Sequence, residues 1–342
     1  MMLRITKDRL NELYKLISEN SPLYLPVKKA GQVNYALYED GAEASVETLK
    51  TVKSPKDLFF PQSENMMKFK TEGKNIEIIE TREDIKDFVL FGVKACDYSS
   101  FAILDKVFLS EPVDTYYKER RESATIVTLA CSRPESSCFC KVFGIDAAAP
   151  EGDATTWIDD KYLYFKANTE KGEKLFALIK SLGEEGGEKE VEKEQEKIRS
   201  VIDKLPFSNL DLSVFKPENL NELFNRPEWQ SLSEACLGCG TCTFVCPTCQ
   251  CFDIRDFKTD NGVIRFRCWD SCMYSDFTQM AAENSRKTQM QRYRQRFMHK
   301  LVYFPSQYGC YSCVGCGRCV NKCPQHLNIV KVIKKLGGKE SE

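Results

Sequence analysis

Several features common in enzymes are scarce in this chain of 342 residues. It has only two histidines, His299 and His326, which leaves little for histidine-based zinc catalysis. Neither a G-x-G-x-x-G motif after a predicted strand nor a P-loop occurs, so no recognisable nicotinamide, flavin or nucleotide site is present. No apolar run reaches transmembrane length and no signal-peptide pattern opens the chain, which predicts a cytoplasmic protein without a membrane span. The net charge of -1 gives no overall attraction to nucleic acid.

Cysteine, by contrast, is abundant, with 17 residues in the chain. A disulfide framework is typical of short secreted domains, and this chain is neither short nor evidently exported. The odd number of cysteines also leaves one unpaired under that interpretation. Reduced thiolates that hold metal are therefore the favoured explanation.

The first half of the chain alternates predicted strands and helices. A helix is predicted over residues 1–20, and two strands flank a predicted turn at residues 30–31. Continuous apolar runs at 87–93 and 124–131 predict buried strands, and a helical pattern follows the first of them. Residues 156–168 predict a hairpin. This alternation indicates an α/β domain whose sheet is at least partly parallel.

Changes in composition divide the chain into three predicted parts. Residues 1–170 form the α/β domain, and residues 171–230 form a connector whose Glu and Lys pairs favour a solvated helix. Residues 231–342 carry the densest cysteine runs. A mostly helix-forming stretch at 277–304 separates those runs, which favours a helical ferredoxin-like domain over a compact ferredoxin with β-hairpins.

The spacing C-x2-C-x2-C-x3-C-P occurs twice in the last part and is the pattern of bacterial [4Fe-4S] ferredoxins. In this pattern the fourth cysteine of each run ligates the other cluster. Site 1 is therefore predicted to consist of Cys236, Cys239, Cys242 and Cys323. Site 2 is predicted to consist of Cys313, Cys316, Cys319 and Cys246. Structural zinc is the alternative, but zinc uses four ligands, usually in two separated pairs, and needs no triplet closed by Cys-Pro.

A third group of cysteines follows the two predicted buried strands. Site 3 consists of Cys96, Cys131, Cys138 and Cys140. The first two are placed at carboxyl ends of strands, where α/β sheets bind ligands, and the C-x-C pair follows on a polar loop. These four thiolates predict a third [4Fe-4S] cluster, with Asp97 as a possible oxygen ligand. The alternative is that Cys96 and Cys131 are small buried core residues.

Five cysteines and one basic segment remain. Four of the cysteines either hold one more metal centre or, as we favour, pack beside the existing clusters: Cys249, Cys251, Cys268 and Cys272. Cys310 matches no motif. The basic segment contains Arg286, Lys287, Arg292, Arg294, Arg296, His299 and Lys300. These residues are predicted to raise the reduction potentials of the clusters or to guide a partner protein, and a solvated helix face is the alternative. A nucleic-acid-binding patch is disfavoured.

Taken in order, six segments resemble two related protein families: FGVKACD, RPESSCFC, CLGCGTCTFVCPTCQCFDI, WDSC, RYRQRFMHK and CVGCGRCVNKCP. The families are the [4Fe-4S] electron-transfer subunit of anaerobic sulfite reductases and the β subunit of sulfhydrogenases, which are soluble NiFe hydrogenases. The resemblance spans roughly residues 85–330. CPTCQCFD and WDSC, joined to the ACD and CFC elements, make it specific, and it favours the third cluster because all four site 3 cysteines lie in family motifs.

The resemblance implies an iron–sulfur electron-transfer subunit of an anaerobic complex. One implied partner is an FAD and [2Fe-2S] subunit that exchanges electrons with NAD(P)H, and the other is a catalytic sulfite reductase or NiFe hydrogenase subunit. No catalytic residue is assigned to this chain, and three [4Fe-4S] clusters are expected. The alternative function is a stand-alone reductase in which one cluster binds substrate.

Overall fold

The computed structural model describes residues 2–82, 84–260 and 262–337. The strands are β1 (Met2–Thr6), β2 (Leu23–Lys29), β3 (Gln32–Leu37), β4 (Ser63–Glu72), β5 (Asn75–Glu80), β6 (Phe88–Val93), β7 (Ala124–Leu129), β8 (Ala154–Ile158), β9 (Tyr162–Ala167), β10 (Glu184–Glu185), β11 (Phe252–Thr259) and β12 (Gly262–Trp269).

The α-helices alternate with these strands in the first half of the chain and dominate its end. They are α1 (Leu10–Asn20), α2 (Ala95–Phe108), α3 (Thr115–Ser123), α4 (Glu170–Ile179), α5 (Glu188–Asp203), α6 (Leu220–Phe224), α7 (Glu228–Ser233), α8 (Thr241–Phe244), α9 (Gln289–Met298), α10 (Phe304–Tyr308), α11 (Arg318–Lys322) and α12 (Ile329–Leu336). A π-helical turn at His299–Tyr303 joins α9 to α10.

An eight-stranded sheet forms the centre of the first half, in the order β10-β1-β9-β8-β7-β6-β2-β3. The pairs β2–β6, β6–β7 and β7–β8 are parallel, and the remaining pairs are antiparallel. The predicted partly parallel sheet is thus confirmed. All six residues of β6 are buried, because Val89 and Phe91 pack into one core and Phe88 and Leu90 into another on the opposite face. Burial on both faces explains the continuous apolar run.

Two details of this region differ from the prediction. Residues 2–6 form strand β1, paired with β9 and β10, where a helix was predicted from the first residue. Helix α5 is charge-rich, as predicted for the connector, but it is more than a solvated spacer. It buries Val191, Ile198 and Ile202 in a cluster that also contains Cys131 and Cys140. A mixed pattern of exposed charges and one apolar stripe is what such an amphipathic helix requires.

A second, four-stranded antiparallel sheet joins distant parts of the chain in the order β11-β12-β4-β5. Its hairpin β11–β12 lies between the two ferredoxin-type motifs, before the stretch 277–304 that was predicted to be mostly helix-forming. The helical part begins only at α9, after a capping box in which Thr288 and Gln291 exchange hydrogen bonds. Strand β4 belongs to the predicted domain 1–170 but pairs with β12 of the predicted domain 231–342, so these two parts of the chain share one sheet. The domain boundaries stay a prediction.

Candidate iron–sulfur sites

The four cysteines of site 1 surround one cavity. Three of them come from the loop around α8, and Cys323 reaches the same cavity from the end of α11. Helix α9 closes another wall with Tyr293, Arg296 and Phe297. The structure therefore brings together the cysteines of two motifs that are far apart in sequence, in the crossed arrangement that the spacing predicts. Ligation by these four residues remains a prediction.

The cysteines of site 2 lie close enough to one another for the charge of one thiolate to affect the pKa of its neighbours. Burial, together with the neighbouring Cys246 and Cys316, raises the pKa of Cys313 to about 12. Burial likewise raises the pKa of Cys319, with Cys246 again among the contributing neighbours. A hydrogen bond of 2.9 Å from Thr248 Oγ1 to the Ser312 carbonyl ties the loop of Cys246 to the start of the second motif.

Site 3 occupies a cavity that is lined by all four of its predicted cysteines. Helix α2 begins at Ala95, so Cys96 lies in its first turn. The amide groups and the positive end of the helix dipole therefore lie beside the cavity. Three of the thiols are 6 or 7% exposed, and Ile202 of α5 covers the cavity. The third group of cysteines is thus assembled at one place by β6, β7 and the loop that follows β7.

The second motif packs directly on site 3. Cys316 and Arg318, which belong to the loop of site 2, line the site 3 cavity. The Phe139 amide donates a hydrogen bond of 2.9 Å to the Gly315 carbonyl. A Cβ at Gly315 would lie 2.4 Å from the Phe139 carbonyl carbon, and one at Gly317 would lie 2.4 Å from the Ser137 oxygen, so only glycine permits this approach. Site 2 therefore lies beside site 3.

Asp97 does not have free oxygens to offer as a ligand. Both of its carboxylate oxygens accept hydrogen bonds from Arg318 at 2.5 and 2.7 Å, and both side chains are almost fully buried. The suggestion that Asp97 could substitute for a thiolate finds no support in this geometry.

Buried thiols in these sites favour a bound cation. Burial raises the pKa of Cys131 to about 11 and that of Cys140 to about 12, so both would keep their protons near pH 7. Thiolate is the form that binds metal, and the charge of the metal offsets the cost of burying it. Metal binding and deprotonation are therefore coupled at these cysteines.

Three buried cations lie around the loop of residues 246–249. Lys56 Nζ donates to the carbonyls of Cys246 and Cys249 at 3.2 and 2.9 Å and lies 3.6 Å from the ring centre of Trp269. Lys300 Nζ donates to Thr248 Oγ1 and the Ser312 carbonyl, both at 2.8 Å.

Arg296 is the third of these cations. It donates to Cys249 Sγ at 3.2 Å and to the Cys242 carbonyl at 2.6 Å. Within the described part of the chain, none of the three cations forms an ion pair with a carboxylate. Buried charges require compensation, and anionic clusters at sites 1 and 2 would supply it.

Unpartnered donors give a second test of whether the residues fit such clusters. The Tyr293 hydroxyl and Arg296 Nε are buried without a hydrogen-bond partner beside site 1, and the Ser312 hydroxyl is buried without one beside Cys313. Native interiors rarely leave such groups unsatisfied, and cluster sulfurs accept hydrogen bonds. A cubane binds one cysteine per iron, so its ligands surround a volume, as they do at sites 1 and 3. The residues fit [4Fe-4S] clusters.

The remaining cysteines do not form the additional four-thiol set that the sequence left open. Cys251 and Cys272 lie within hydrogen-bonding range of each other, and Cys249 lies beside Cys246. Cys268 instead lies opposite Asp253 in the β11–β12 hairpin. We therefore retain the interpretation of sulfur-rich packing beside the clusters.

The basic segment separates into buried and outward-facing parts. Arg296 and Lys300 point inward, toward the loop of residues 246–249, whereas Lys287 is exposed. Arg294 lies 3.6 Å from the ring centre of Phe224 and donates to its carbonyl. Burial, together with the nearby cations, lowers the pKa of His299 to about 4, which leaves it neutral near pH 7.

Sequence reasoning did not identify Lys56, Tyr293 or Ser312 as neighbours of the sites. Lys56 is some 190 residues before the loop that it contacts, and nothing in its local pattern distinguishes it from a surface lysine. Tyr293 and Ser312 lie close in sequence to Arg296 and Cys313. A helical projection from Arg296 back by three residues would have placed Tyr293 on the same face.

The repeated motif, the cavity of site 1 and the buried cations indicate an iron–sulfur protein with ferredoxin-type motifs. Residues 235–327 match a family described as a 4Fe-4S dicluster domain. The chain is also 33% identical over 330 residues to sulfhydrogenase 2 subunit beta of Pyrococcus furiosus, an alignment that covers 95% of each chain. The chain belongs to the sulfhydrogenase beta subunit family, as its resemblance predicted. Among the residues described, no helix is both long and apolar enough to cross a membrane.

Proposed function

We propose that this protein is an electron-transfer subunit in which three [4Fe-4S] clusters, at sites 1, 2 and 3, form one relay. The observation that carries the proposal is the continuity of the three sites. Arg296 contacts residues of the site 1 and site 2 loops, and Cys316 of site 2 lines the cavity of site 3. Such continuity is what electron transfer through an insulating protein interior requires.

Each cluster would pass one electron at a time. The residues of this chain supply the thiolate ligands, exclude water by burial and place fixed positive charge beside the anionic groups. No residue of the chain is proposed to transform a metabolite. This division of labour suits a subunit that divides two-electron hydride chemistry at a flavin into single-electron steps.

The partners follow from the family. We infer a subunit that carries FAD and a [2Fe-2S] cluster and exchanges electrons with NAD(P)H, and a catalytic subunit of the sulfite reductase or the NiFe hydrogenase and sulfur reductase type. Family membership supports a catalytic subunit of the NiFe hydrogenase and sulfur reductase type, since the matched relative is a sulfhydrogenase subunit. We propose a cytoplasmic, anaerobic setting, and the exposure of Cys239 in site 1 supports the anaerobic part, because exposed thiolates oxidise readily.

Turnover measurements on the isolated chain test the proposal. The anaerobically purified protein is reduced with a viologen in buffer, where protons are the available acceptor, or with added sulfite or elemental sulfur. A relay is reduced by the viologen, as seen by bleaching near 400 nm, yet forms no hydrogen or sulfide above a protein-free control. Steady product formation would contradict the proposal and support the alternative of a stand-alone reductase.

A further inference from the structure

The buried cations are distributed unevenly over the three sites. Lys56, Arg296 and Lys300 are 2, 2 and 3% exposed, and all three reach the loop that carries Cys246 and Cys249. Cys246 is a predicted ligand of site 2. Three positive charges without carboxylate partners in the described part of the chain therefore lie beside one site.

The charges beside site 3 are largely neutralised within the protein. Arg318 is paired with Asp97, and Lys50 Nζ lies 2.9 Å from a carboxylate oxygen of Glu135. Lys94 is the one buried cation of this cavity without an ion pair among the described residues, and its Nζ donates to the Val46 carbonyl.

Site 1 has an intermediate environment. It shares Arg296 with site 2, because the guanidinium donates to the Cys242 carbonyl, and it adds the unpartnered hydroxyl of Tyr293. The hydrogen bonds that Lys56 and Lys300 donate within the described ranges go to residues 246–249 and to Ser312, outside the site 1 loop 236–242.

Reduction adds one negative charge to a cluster, so a fixed cation nearby stabilises the reduced form, and it does so more strongly in a buried site than in water. We propose that Lys56, Arg296 and Lys300 give site 2 the highest reduction potential of the three sites. An electron in the relay is then most stable on site 2, between sites 1 and 3. This inference rests on the proposed three-cluster relay.

An EPR-monitored redox titration of the anaerobic full-length protein tests the order. Cys239→Ser and Cys319→Ser assign the signals of sites 1 and 2 without relying on the crossed ligands, and Cys138→Ser with Cys140→Ser assigns site 3. As the potential is lowered, the signal of site 2 appears first. Earlier appearance of either other signal overturns the inference.

Charge-removal variants test the cause. Lys300→Met is expected to shift the oxidised-to-reduced ratio of site 2 about tenfold at a fixed potential, which is about 59 mV for one electron. Site 3 should not shift. Lys287→Met, which removes an exposed lysine from the same basic segment, is the matched control and should leave every signal in place.

Lys300→Arg keeps the charge and should keep the potential, which separates electrostatics from damage to packing. If Lys300→Met fails to retain its clusters, Lys300→Gln provides the neutral variant. An unchanged site 2 potential in a neutral variant that retains its clusters overturns the inference. Wild-type protein with about twelve irons but a different order of reduction refutes this inference alone, whereas protein without clusters refutes the proposed function.

Discussion

Arg318 and Asp97 form a two-point ion pair in the protein interior. Arg318 Nη1 and Nη2 donate to the two carboxylate oxygens at 2.5 and 2.7 Å, and the side chains are 3 and 2% exposed. Arg318 lies between two cysteines of site 2, and Asp97 follows Cys96 of site 3. The pair therefore fixes the two candidate cluster sites relative to each other, and Arg318 adds a hydrogen bond of 3.2 Å to the Thr51 carbonyl.

Removing one partner of this pair should be costly. Arg318→Met leaves the Asp97 carboxylate buried without compensation and is expected to destabilise the protein by about 3–5 kcal/mol. The measurement is the guanidinium midpoint of the anaerobic protein, followed by tryptophan fluorescence. The double variant Asp97→Leu with Arg318→Met should be more stable than Arg318→Met alone. A double variant less stable than either single variant would argue against the pair as the source of the effect.

Close approach of the second motif to site 3 predicts a specific sensitivity at Gly315. Gly315→Ala combines a left-handed backbone angle with a clash against the Phe139 backbone and should reduce the iron content of sites 2 and 3. Gly309→Ala is the matched control, because Gly309 has a similar positive φ of 72° but open space around its Cβ position. The control should cost only about 1 kcal/mol from backbone strain and retain full iron. Equal iron loss in both variants would refute the role of the contact.

Crossed ligation makes a testable prediction at Cys323. Cys323→Ser should alter or remove the EPR signal of site 1, because the cavity of Cys236, Cys239 and Cys242 contains Cys323. Cys310→Ser, a nearby cysteine outside the three sites, serves as the control. Damage confined to the signal of site 2 would show that Cys323 completes its own motif instead.

A cluster at site 3 should be selectively removable. Replacing Cys138 and Cys140 together with serine should lower the iron content from about twelve to about eight per chain and leave both ferredoxin-type signals in place. Both thiols line the site 3 cavity and neither belongs to site 1 or site 2. An unchanged iron content in the folded double variant would refute the prediction of a third cluster.

Strong local patterns made part of this architecture predictable from sequence. The runs at β6 and β7 were identified as buried strands because a strand that is covered on both faces must be apolar throughout. The hairpin β8–β9 and the turn at Ala30 and Gly31, both with positive φ, were likewise identified from local residue preferences. The cysteine spacing predicted that Cys323 shares a site with Cys236, Cys239 and Cys242, and these four residues line one cavity.

Features that depend on distant parts of the chain were not predictable in this way. Strand β1 is short and follows no recognisable pattern until it pairs with β9. The hairpin β11–β12 alternates charged and apolar residues, but its partner β4 lies almost 200 residues earlier. Lys56 gains its role only from the tertiary contact with Cys246 and Cys249. Pairing and burial over such separations leave no local signature, so the hairpin at residues 252–269 was not predicted.

The central claim is that three sets of four thiolates each hold a [4Fe-4S] cluster. Iron and acid-labile sulfide analysis of anaerobically purified protein, combined with EPR of the reduced sample, tests it most directly. The account predicts about twelve irons and twelve sulfides per chain, with interacting signals from three reduced clusters. Colourless protein that contains zinc and no iron would contradict it.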